Sequence, residues 1–326
     1  MSPTSVLLGA LAGAAAILAA GWVLPAWIFV ISIALTKGLA VLGLVLLMRA
    51  GLVSFGQGLF FAIGGYSAGL LVNVWRITEA ALLVPVSALS ALAVAAIVGL
   101  LLARYRDIFF AMLTLALSMI LYGLLVKSSE FGGTDGFNIH GVTLFGLPLG
   151  GASRFNGLVL LVVLALAAVA LSLAFCRTPL GRLAPGIKDR EIRVEYLGAD
   201  ATGSIYAAYL LAALIGGVGG AMSGIAVGHI DPELAFWATS GEFVVIGVLA
   251  GTGSVLTPFV AALALELVRT YAYQYAPNTW QAVLGIIILA LILFMPGGLS
   301  GLARRPRRNA APEAQEPSGA QAGAVR

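Results

Sequence analysis

The sequence predicts an all-α, polytopic membrane protein with about ten transmembrane segments, one of them glycine-rich and discontinuous. Of its 326 residues, 60% are hydrophobic and only 10% are charged, whereas soluble domains carry about 25% charged residues. The hydrophobic residues form stretches of about 20, the length that a helix needs to cross a bilayer. Lys and Arg collect on one side of the resulting topology, as they do in cytoplasmic loops. This composition excludes a soluble enzyme, a disordered chain and a nucleic-acid-binding domain.

Ten apolar stretches are separated by charged, glycine-containing or proline-containing segments. The first carries no basic residue before it, so we predict a retained span, with a cleaved signal peptide as the alternative. The eighth is too short to cross a membrane without help from its neighbours. The stretches cover residues 5–24, 26–48, 57–73, 81–103, 107–126, 157–176, 205–228, 238–251, 256–275 and 279–296.

The chain is predicted to consist of one transmembrane domain, residues 1–303, and a disordered tail, residues 304–326. Two longer polar segments interrupt the domain, at 127–156 and at 177–204. With both termini on one side, most of the basic residues lie on the same side as segment 177–204. The termini and this segment are therefore predicted to be cytoplasmic, and segment 127–156 to face the opposite compartment.

Glycine is abundant, with 41 residues, and it is patterned. In the seventh span glycine recurs every four residues, which places small residues on one helix face and lets helices approach closely. We predict packing within the bundle, with a subunit interface or a moving seam as the alternative. The four residues are Gly216, Gly220, Gly224 and Gly228.

Residues 51–71, GLVSFGQGLFFAIGGYSAGLL, mix glycines with polar side chains and form a poor continuous helix by propensity. Broken helices at membrane depth occur where they are buried in protein or line a cavity. We therefore predict a discontinuous segment beside a substrate pathway, with simple close packing as the equal alternative. The candidate pathway residues are Ser54, Gln57, Phe60 and Tyr66, together with Thr114 and Ser118 of the fifth span.

Four ionisable residues fall within apolar stretches: Lys37, Glu242, Glu266 and Arg269. Charges at membrane depth are costly and mark functional sites by default. Glu266 and Arg269 are three residues apart, so they share a helix face and are predicted to pair. Glu242 is the predicted partner of Lys37, and contact with a substrate carboxylate or ammonium is the alternative role.

The polar segment 177–204 contains a predicted helix at 187–197, because Pro185 and Gly186 favour a helix start and Gly198 favours a helix end. The segment is either a solvated loop or a docking helix for a cytoplasmic partner. The residues proposed for docking are Arg182, Lys188, Asp189, Arg190, Glu191, Glu195 and Gly198.

The chain carries no G-x-x-x-x-G-K-[ST] run, so it has no P-loop for ATP. It also lacks G-x-S-x-G, H-E-x-x-H and C-x-x-C motifs. Its one cysteine, Cys176, and its two histidines make a thiolate or histidine metal site improbable. We therefore predict no catalytic site, no metal and no cofactor bound by this chain.

Four stretches together resemble the M-type permease subunits of branched-chain amino-acid ABC importers, over roughly residues 30–302. The first is the glycine-rich segment at 51–69, and the second is IFFAMLTLALSMI at 108–120 with GGTDGF at 132–137. The third is TPLGRLAPGIKDREIRVEYLGAD at 178–200, which is similar to the cytoplasmic coupling loop of importer permeases. The last is VLAGTGSVLTPFVAA at 248–262 with LFMPGGLSGL at 293–302.

The resemblance implies a subunit that moves branched-chain amino acids across the bacterial inner membrane. It implies four partners in the lipid bilayer and beside it: a second, H-type permease, two cytoplasmic ABC ATPases that hydrolyse the ATP, and a periplasmic substrate-binding protein. Segment 177–204 would be the ATPase-coupling loop. Within this class the alternative substrate is urea or a short amide. An ion-coupled secondary transporter and an intramembrane enzyme are the alternatives from other classes.

Overall fold

A computed structural model of the chain describes residues 3–149, 153–275 and 298–302, together with positions 279, 282, 285, 286, 289 and 290. Its helices are α1 (Pro3–Val23), α2 (Ile28–Met48), α3 (Gln57–Asn73), α4 (Ala80–Leu102), α5 (Asp107–Lys127), α6 (Arg154–Arg177), α7 (Pro179–Tyr196), α8 (Ala201–Val227), α9 (Trp237–Ala250), α10 (Thr257–Tyr275) and α11 (Gly298–Leu302). Its strands, each of two residues, are β1 (Phe137–Asn138), β2 (Thr143–Leu144), β3 (Leu147–Pro148) and β4 (His229–Ile230).

The protein is an all-α, multi-pass membrane protein. Within the described residues, six helices are long and apolar enough to cross a membrane, namely α1, α4, α5, α6, α8 and the run formed by α2 with the short 3-10 turn Pro25–Trp27 before it. The first nine predicted spans coincide with helices of the structure to within a few residues. The tenth, at 279–296, and the predicted tail at 304–326 fall largely or wholly outside the described residues. The number of ten spans therefore stays a prediction.

Helix α8 lies at the centre of the bundle, because glycines on three of its faces admit three neighbours. A methyl group at Gly219 would lie 2.9 Å from the carbonyl oxygen of Thr36 in α2, and one at Gly217 would lie 2.6 Å from Cβ of Ala91 in α4. Gly220 lies directly against the backbone of α3 at Phe61. Such contacts let backbones pack at distances that larger residues forbid.

The predicted glycine stripe divides into two roles. Gly216, Gly220 and Gly224 all lie in tight contacts, with α3 for the first two and with Ile230 of β4 for the third. Gly228 instead ends α8 in the left-handed conformation, with φ of 78°, and its N–H donates to the carbonyl of Gly224. It is therefore a helix cap, for which glycine is favoured because it lacks a Cβ.

The two ends of the bundle differ. At one end, here called the loop end, the residues between α5 and α6 carry β1 to β3, and β1 pairs with β4 in an antiparallel ladder. The carboxylate of Glu79 accepts bonds there from the Thr143 hydroxyl and the Phe145 N–H. At the opposite end, here called the α7 end, α7 packs against α6 and α8. Arg49 Nη1 donates to Cys176 Sγ at this end.

The glycine-rich segment is broken at its start and not along its whole length. Residues 50–56 contain no helix, and Gly51 has φ of 84°, which glycine adopts without strain. From Gln57 onward, α3 is one uninterrupted helix of 17 residues, although it contains four glycines. The prediction of discontinuity across 51–71 is therefore corrected, because burial of α3 among its neighbours overrides the weak propensity of glycine.

Helix α7 also differs from the prediction. It begins at Pro179, where the Thr178 hydroxyl caps it by accepting from the Gly181 N–H. Pro185 lies inside the helix, and the backbone leaves helical geometry at Arg190, where φ is −159° and ψ is 95°. The helix therefore begins earlier than the expected 187–197, because Thr178 supplies a cap. The kink at Arg190 divides it into two shorter pieces.

Helix α9 has 14 residues and is about 21 Å long, so it cannot cross a membrane alone. The residues between β4 and α9 supply the rest of the path. They extend inward from the loop end to Ala235, whose carbonyl accepts a hydrogen bond from the Ser118 hydroxyl, halfway along α5. From there α9 continues to Gly247, which packs against Met48 near the α7 end. The crossing at the short predicted eighth span is thus made by a segment that contains the 3-10 helix Pro232–Ala235, followed by α9.

Candidate functional site

The α7 end is organised around one arginine that the sequence did not single out. The Nε of Arg106 lies 2.9 Å from both carboxylate oxygens of Glu191, and Nη2 lies 2.7 Å from one of them. Nη1 of the same guanidinium donates to the carbonyl oxygens of Ala103 and Tyr105 at the end of α4. Arg106 is also the residue that precedes α5. It therefore joins α7 to the corner between α4 and α5.

Helix α7 contacts the start of the glycine-rich segment as well. A methyl group at Gly51 would lie 3.4 Å from the Cα of Lys188, so the two backbones are close neighbours. Ser204 near the start of α8 donates its hydroxyl hydrogen to the carbonyl of Leu180 at 2.7 Å. Lys188 and Glu191 are three residues apart and touch the two segments that lead into α3 and α5.

The other predicted docking residues are exposed to different degrees. Arg182, Lys188, Asp189, Arg190, Glu195 and Gly198 are exposed, and Glu191 is half-buried against Arg106. Beside them, three apolar side chains lie open on α7 and just after it: Ile192 is 69% exposed, Tyr196 88% and Leu197 82%. Ile187 and Val194 are buried on the opposite side of α7. Leu197 lies just after the last residue of the helix.

The segment that precedes α3 and the segment that precedes α9 meet at the centre of the bundle. The N–H of Gly58, in the first turn of α3, donates to the hydroxyl of Ser240, in the first turn of α9, at 3.1 Å. Helix α3 runs from this point toward the loop end and α9 runs toward the α7 end. The first turn of a helix has N–H groups without partners, and in this interior a serine hydroxyl serves one of them.

Two hydroxyls of α5, one turn apart, bind the backbones of the segments that precede α3 and α9. Thr114 Oγ1 accepts from the N–H of Phe55 at 3.1 Å, and Ser118 Oγ donates to the carbonyl of Ala235 at 2.7 Å. Both hydroxyl residues are almost fully buried, although much of α5 faces outward. Backbone groups outside regular structure need such partners in a membrane interior.

The predicted pathway residues therefore lie in the packed interior. Gln57 is fully buried, donates from Nε2 to the carbonyl of Ala212 at 3.0 Å, and fills a notch formed by Gly43 and Gly216. Its Oε1 has no partner among the described residues. Phe60 packs edge to face on Tyr209. All six candidates, Ser54, Gln57, Phe60, Tyr66, Thr114 and Ser118, are less than 5% exposed. Their role in a pathway stays a prediction.

The four membrane-depth charges form one cluster that links α2, α9 and α10. Lys37 Nζ lies 2.8 Å from Glu242 Oε1 and 2.9 Å from Glu266 Oε2. Arg269 Nη1 lies 3.0 Å from the same Glu242 oxygen and 3.9 Å from Glu266 Oε2. The predicted pair of Lys37 with Glu242 is confirmed, and the Glu266–Arg269 contact is the longest of the four. The cluster has no net charge, which suits its depth.

No group of three or more His, Cys, Asp or Glu side chains is close enough to hold a metal ion in the part of the chain that the structure describes. The described residues form three features: the Arg106–Glu191 joint at the α7 end, the hydroxyls that bind backbone groups at the centre of the bundle, and the neutral cluster around Lys37. None of these three features brings a nucleophile and a base together.

Comparison with known proteins places these features in a family. The sequence profile of the family described as "Branched-chain amino acid transport system / permease component" matches residues 26–292. The high-affinity branched-chain amino acid transport system permease protein LivM of Escherichia coli (strain K12) is 29% identical in an alignment of 311 positions that covers 86% of this chain and 73% of that protein. LivM of Salmonella typhimurium (strain LT2) is 28% identical in an alignment of 278 positions that covers 78% of this chain and 65% of that protein. No solved structure matches at a comparable significance.

Proposed function

Because this chain belongs to the permease-component family of branched-chain amino acid transport systems, we propose that it is one permease subunit of an ABC importer for hydrophobic, branched-chain amino acids. The match over residues 26–292 carries this proposal. The names of the two relatives support the substrate class, and the chain spans 73% and 65% of their lengths. The chain has no P-loop, so separate subunits would supply the ATP hydrolysis.

We propose that the α7 end is cytoplasmic. The described Lys and Arg side chains at this end include Arg49, Arg104, Arg106 and Arg177 besides those of α7, whereas the loop end carries few. Cytoplasmic loops of membrane proteins are enriched in Lys and Arg. The loop end would then face a substrate-binding protein on the other side of the bacterial inner membrane. A second permease subunit would complete the pathway through the bilayer.

We propose that α7 is the element on which an ATPase subunit docks. Its exposed face offers apolar side chains at Ile192, Tyr196 and Leu197 flanked by charged ones, and an apolar core with a polar rim is the usual anatomy of a protein interface. Movement of α7 would be passed on through its two contacts. The Arg106–Glu191 joint leads to α5, and the close contact of Lys188 with Gly51 leads to α3.

Helix α5 is suited to carry such a movement to the membrane centre. Thr114 and Ser118 lie about two and three turns from Arg106 along a rigid helix and hold the backbones that lead into α3 and α9. A shift of α5 along its axis would therefore move both segments together. Chains of packed and hydrogen-bonded groups between rigid elements are a physical route for coupling two sites.

Replacing Arg106 with Gln is expected to uncouple ATP hydrolysis from transport. Coupling energies of 1–3 kcal/mol correspond to changes of about fivefold to 150-fold, so we expect the amino acid moved per ATP to fall about fivefold or more. The thermal stability should change little, because partly exposed ion pairs contribute only about 0–1 kcal/mol. Transport and ATPase rates of the reconstituted complex, measured on the same vesicles, give the ratio.

The matched control for this prediction is Arg104→Gln, which removes an exposed cation two residues away and should leave the ratio unchanged. Glu191→Gln breaks the same joint from the α7 side, and the double variant should be no worse than either single one, since both remove one interaction. An unchanged transport-to-ATPase ratio in Arg106→Gln would show that this joint does not couple.

The proposed function itself is tested by reconstitution with the products of the neighbouring genes. If the chain is an importer permease, it copurifies with a P-loop ATPase and a second permease, and vesicles that contain the complex take up leucine, isoleucine and valine only with ATP and the binding protein. Urea and acetamide in the same panel test the alternative substrate class. Uptake by this chain alone, driven by an ion gradient, would contradict the proposal.

A further inference from the structure

A cavity of about 570 Å³ opens at the loop end of the bundle. Its walls come from α2, α6 and α8 and from the chain around β1 and β3. This volume falls within the range of about 300–1,000 Å³ typical of small-molecule sites. Most of the lining is apolar, with Ile28, Ile139, Leu161, Met222 and Ile225 among the lining residues. The cavity is thus suited to a small ligand with an apolar part.

One buried hydroxyl reaches this cavity without a partner of its own. Ser32 of α2 is only 6% exposed and lines the cavity. The structure shows no hydrogen bond for its hydroxyl among the described residues, although neighbouring Thr36 bonds back to the Ile33 carbonyl. Buried hydroxyls without a protein partner usually bond a water or a ligand. Ser32 therefore marks a polar contact point in an otherwise apolar wall.

Among the described residues that line the cavity, Arg154 is the one charged side chain. The guanidinium of Arg154 lies 5.7 Å from the centre of the Phe29 ring, and both residues line the cavity. His140 and His229 line it too, and His229 Nδ1 is 2.9 Å from Asn138 Oδ1. No Asp or Glu is found among the described lining residues. These groups suit one anionic group on the ligand, and a guanidinium binds a carboxylate with two parallel bonds.

Two helix ends of opposite polarity also border the cavity. Helix α6 begins at Arg154, which lines the cavity, and the Ser153 side chain makes no cap bond. The first turn of a helix carries N–H groups that lack partners within the helix, and these attract an anion. Helix α8 ends at Val227, and residues 225–227 of its last turn line the cavity. The carbonyl groups of a last helical turn favour a cation, whereas the carbonyl of the cap, Gly228, already accepts the N–H of Ile139. A ligand with a carboxylate and an ammonium group would meet both ends.

We propose, building on the permease function above, that this cavity binds a zwitterionic α-amino acid with a small branched apolar side chain. The carboxylate binds Arg154 and the start of α6, and the ammonium group binds the carbonyls at the end of α8. The side chain packs against Ile139 and Met222, and the Ser32 hydroxyl bonds one of the two polar groups. The cavity is then the first contact of the substrate with this subunit at the loop end.

The test measures whether leucine shields the cavity. In the complete complex, reconstituted in vesicles with a Cys176→Ser background, His140→Cys places a thiol at the cavity lining. Its reaction rate with a membrane-impermeant methanethiosulfonate is followed with increasing leucine. Only the free form reacts, so the rate should fall about threefold at a leucine concentration of twice the Kd. Ser129→Cys, an exposed position at the same end outside the cavity lining, should show no slowing.

Ligand variants and one substitution identify the contacts. Leucinamide and 4-methylpentanoate lack one of the two charges and should shield about tenfold less well, which corresponds to about 1.4 kcal/mol. Arg154→Gln should abolish shielding by leucine, with each rate compared with that of the same variant without leucine, and Arg154→Lys should retain part of it.

Failure of this proposal is distinguishable from failure of the proposed function. If the same complex imports leucine with ATP but leucine does not slow the reaction of His140→Cys, or slows it equally in Arg154→Gln, the cavity is not the site and the permease function stands. If the complex imports no hydrophobic amino acid, the proposed function is wrong.

Discussion

Replacing Lys37 with Met is expected to destabilise the protein by about 3–5 kcal/mol, the typical cost of removing one partner from a buried charge cluster. Lys37 is the only described side chain that binds both Glu242 and Glu266 at less than 3 Å. Without it, two carboxylates share one arginine, and a net negative charge remains at membrane depth. We expect a fall in melting temperature of about 10 °C, measured on the purified complex in detergent.

A second substitution separates charge balance from loss of contacts. In the double variant Lys37→Met with Glu266→Gln, the pair of Arg269 with Glu242, 3.0 Å apart, carries one charge of each sign. Much of the lost stability should return, and the interaction term of the double-mutant cycle should exceed about 1 kcal/mol. If Lys37→Met is as stable and as active as the parent protein, the cluster has neither a structural nor a pathway role.

Replacing Gly220 with Ala is expected to separate α3 from α8 and to lower stability by about 3 kcal/mol, the upper part of the range for overpacking. The added methyl group would collide with the carbonyl oxygen of Phe61 and would lie 3.0 Å from the N–H nitrogen of Gly65. Both obstacles are backbone atoms, so no side chain can turn aside to make room. The yield of folded protein and its melting temperature report the effect.

The matched control is Gly123→Ala, because a methyl group there would meet no atom within 4 Å. Gly123 also lies inside a helix, so this change should be neutral or stabilise the protein by up to about 1 kcal/mol through helix propensity. Equal effects of the two substitutions would show that the α3–α8 contact tolerates a wider spacing. The prediction for Gly220 would then be wrong.

The sequence predicted the pairing of Lys37 with Glu242, but it did not predict which groups the hydroxyls of Thr114 and Ser118 bind. Lys37 needs a partner at membrane depth, and few acidic residues occur in apolar stretches, so Glu242 could be inferred as its partner. Thr114 and Ser118 could be recognised only as polar residues on one side of a helix. That they hold the backbones before α3 and α9 depends on where those backbones lie, and hydroxyls serve many partners equally well.

The ion pair of Arg106 with Glu191 could not be predicted from the sequence. Its partner Glu191 is 85 positions away, and α7 carries two other acidic residues with the same chemistry, Asp189 and Glu195. The tertiary structure alone shows that Glu191 is the one that meets Arg106. A basic residue between the fourth and fifth predicted spans was the available signal, but Arg104 lies in the same connection and is exposed.

The sequence by itself determined that the chain is a helical membrane protein, where most of its helices lie and that it carries no P-loop motif. Those properties follow from the length and polarity of local segments, because a bilayer imposes the same requirement on every span. The tertiary structure alone decided that Pro185 lies within α7 and that a segment with a 3-10 helix leads into α9. It also decided that the start of α6 and the end of α8 border one cavity. These features depend on contacts between distant segments, whose backbone groups must find partners that no local pattern specifies.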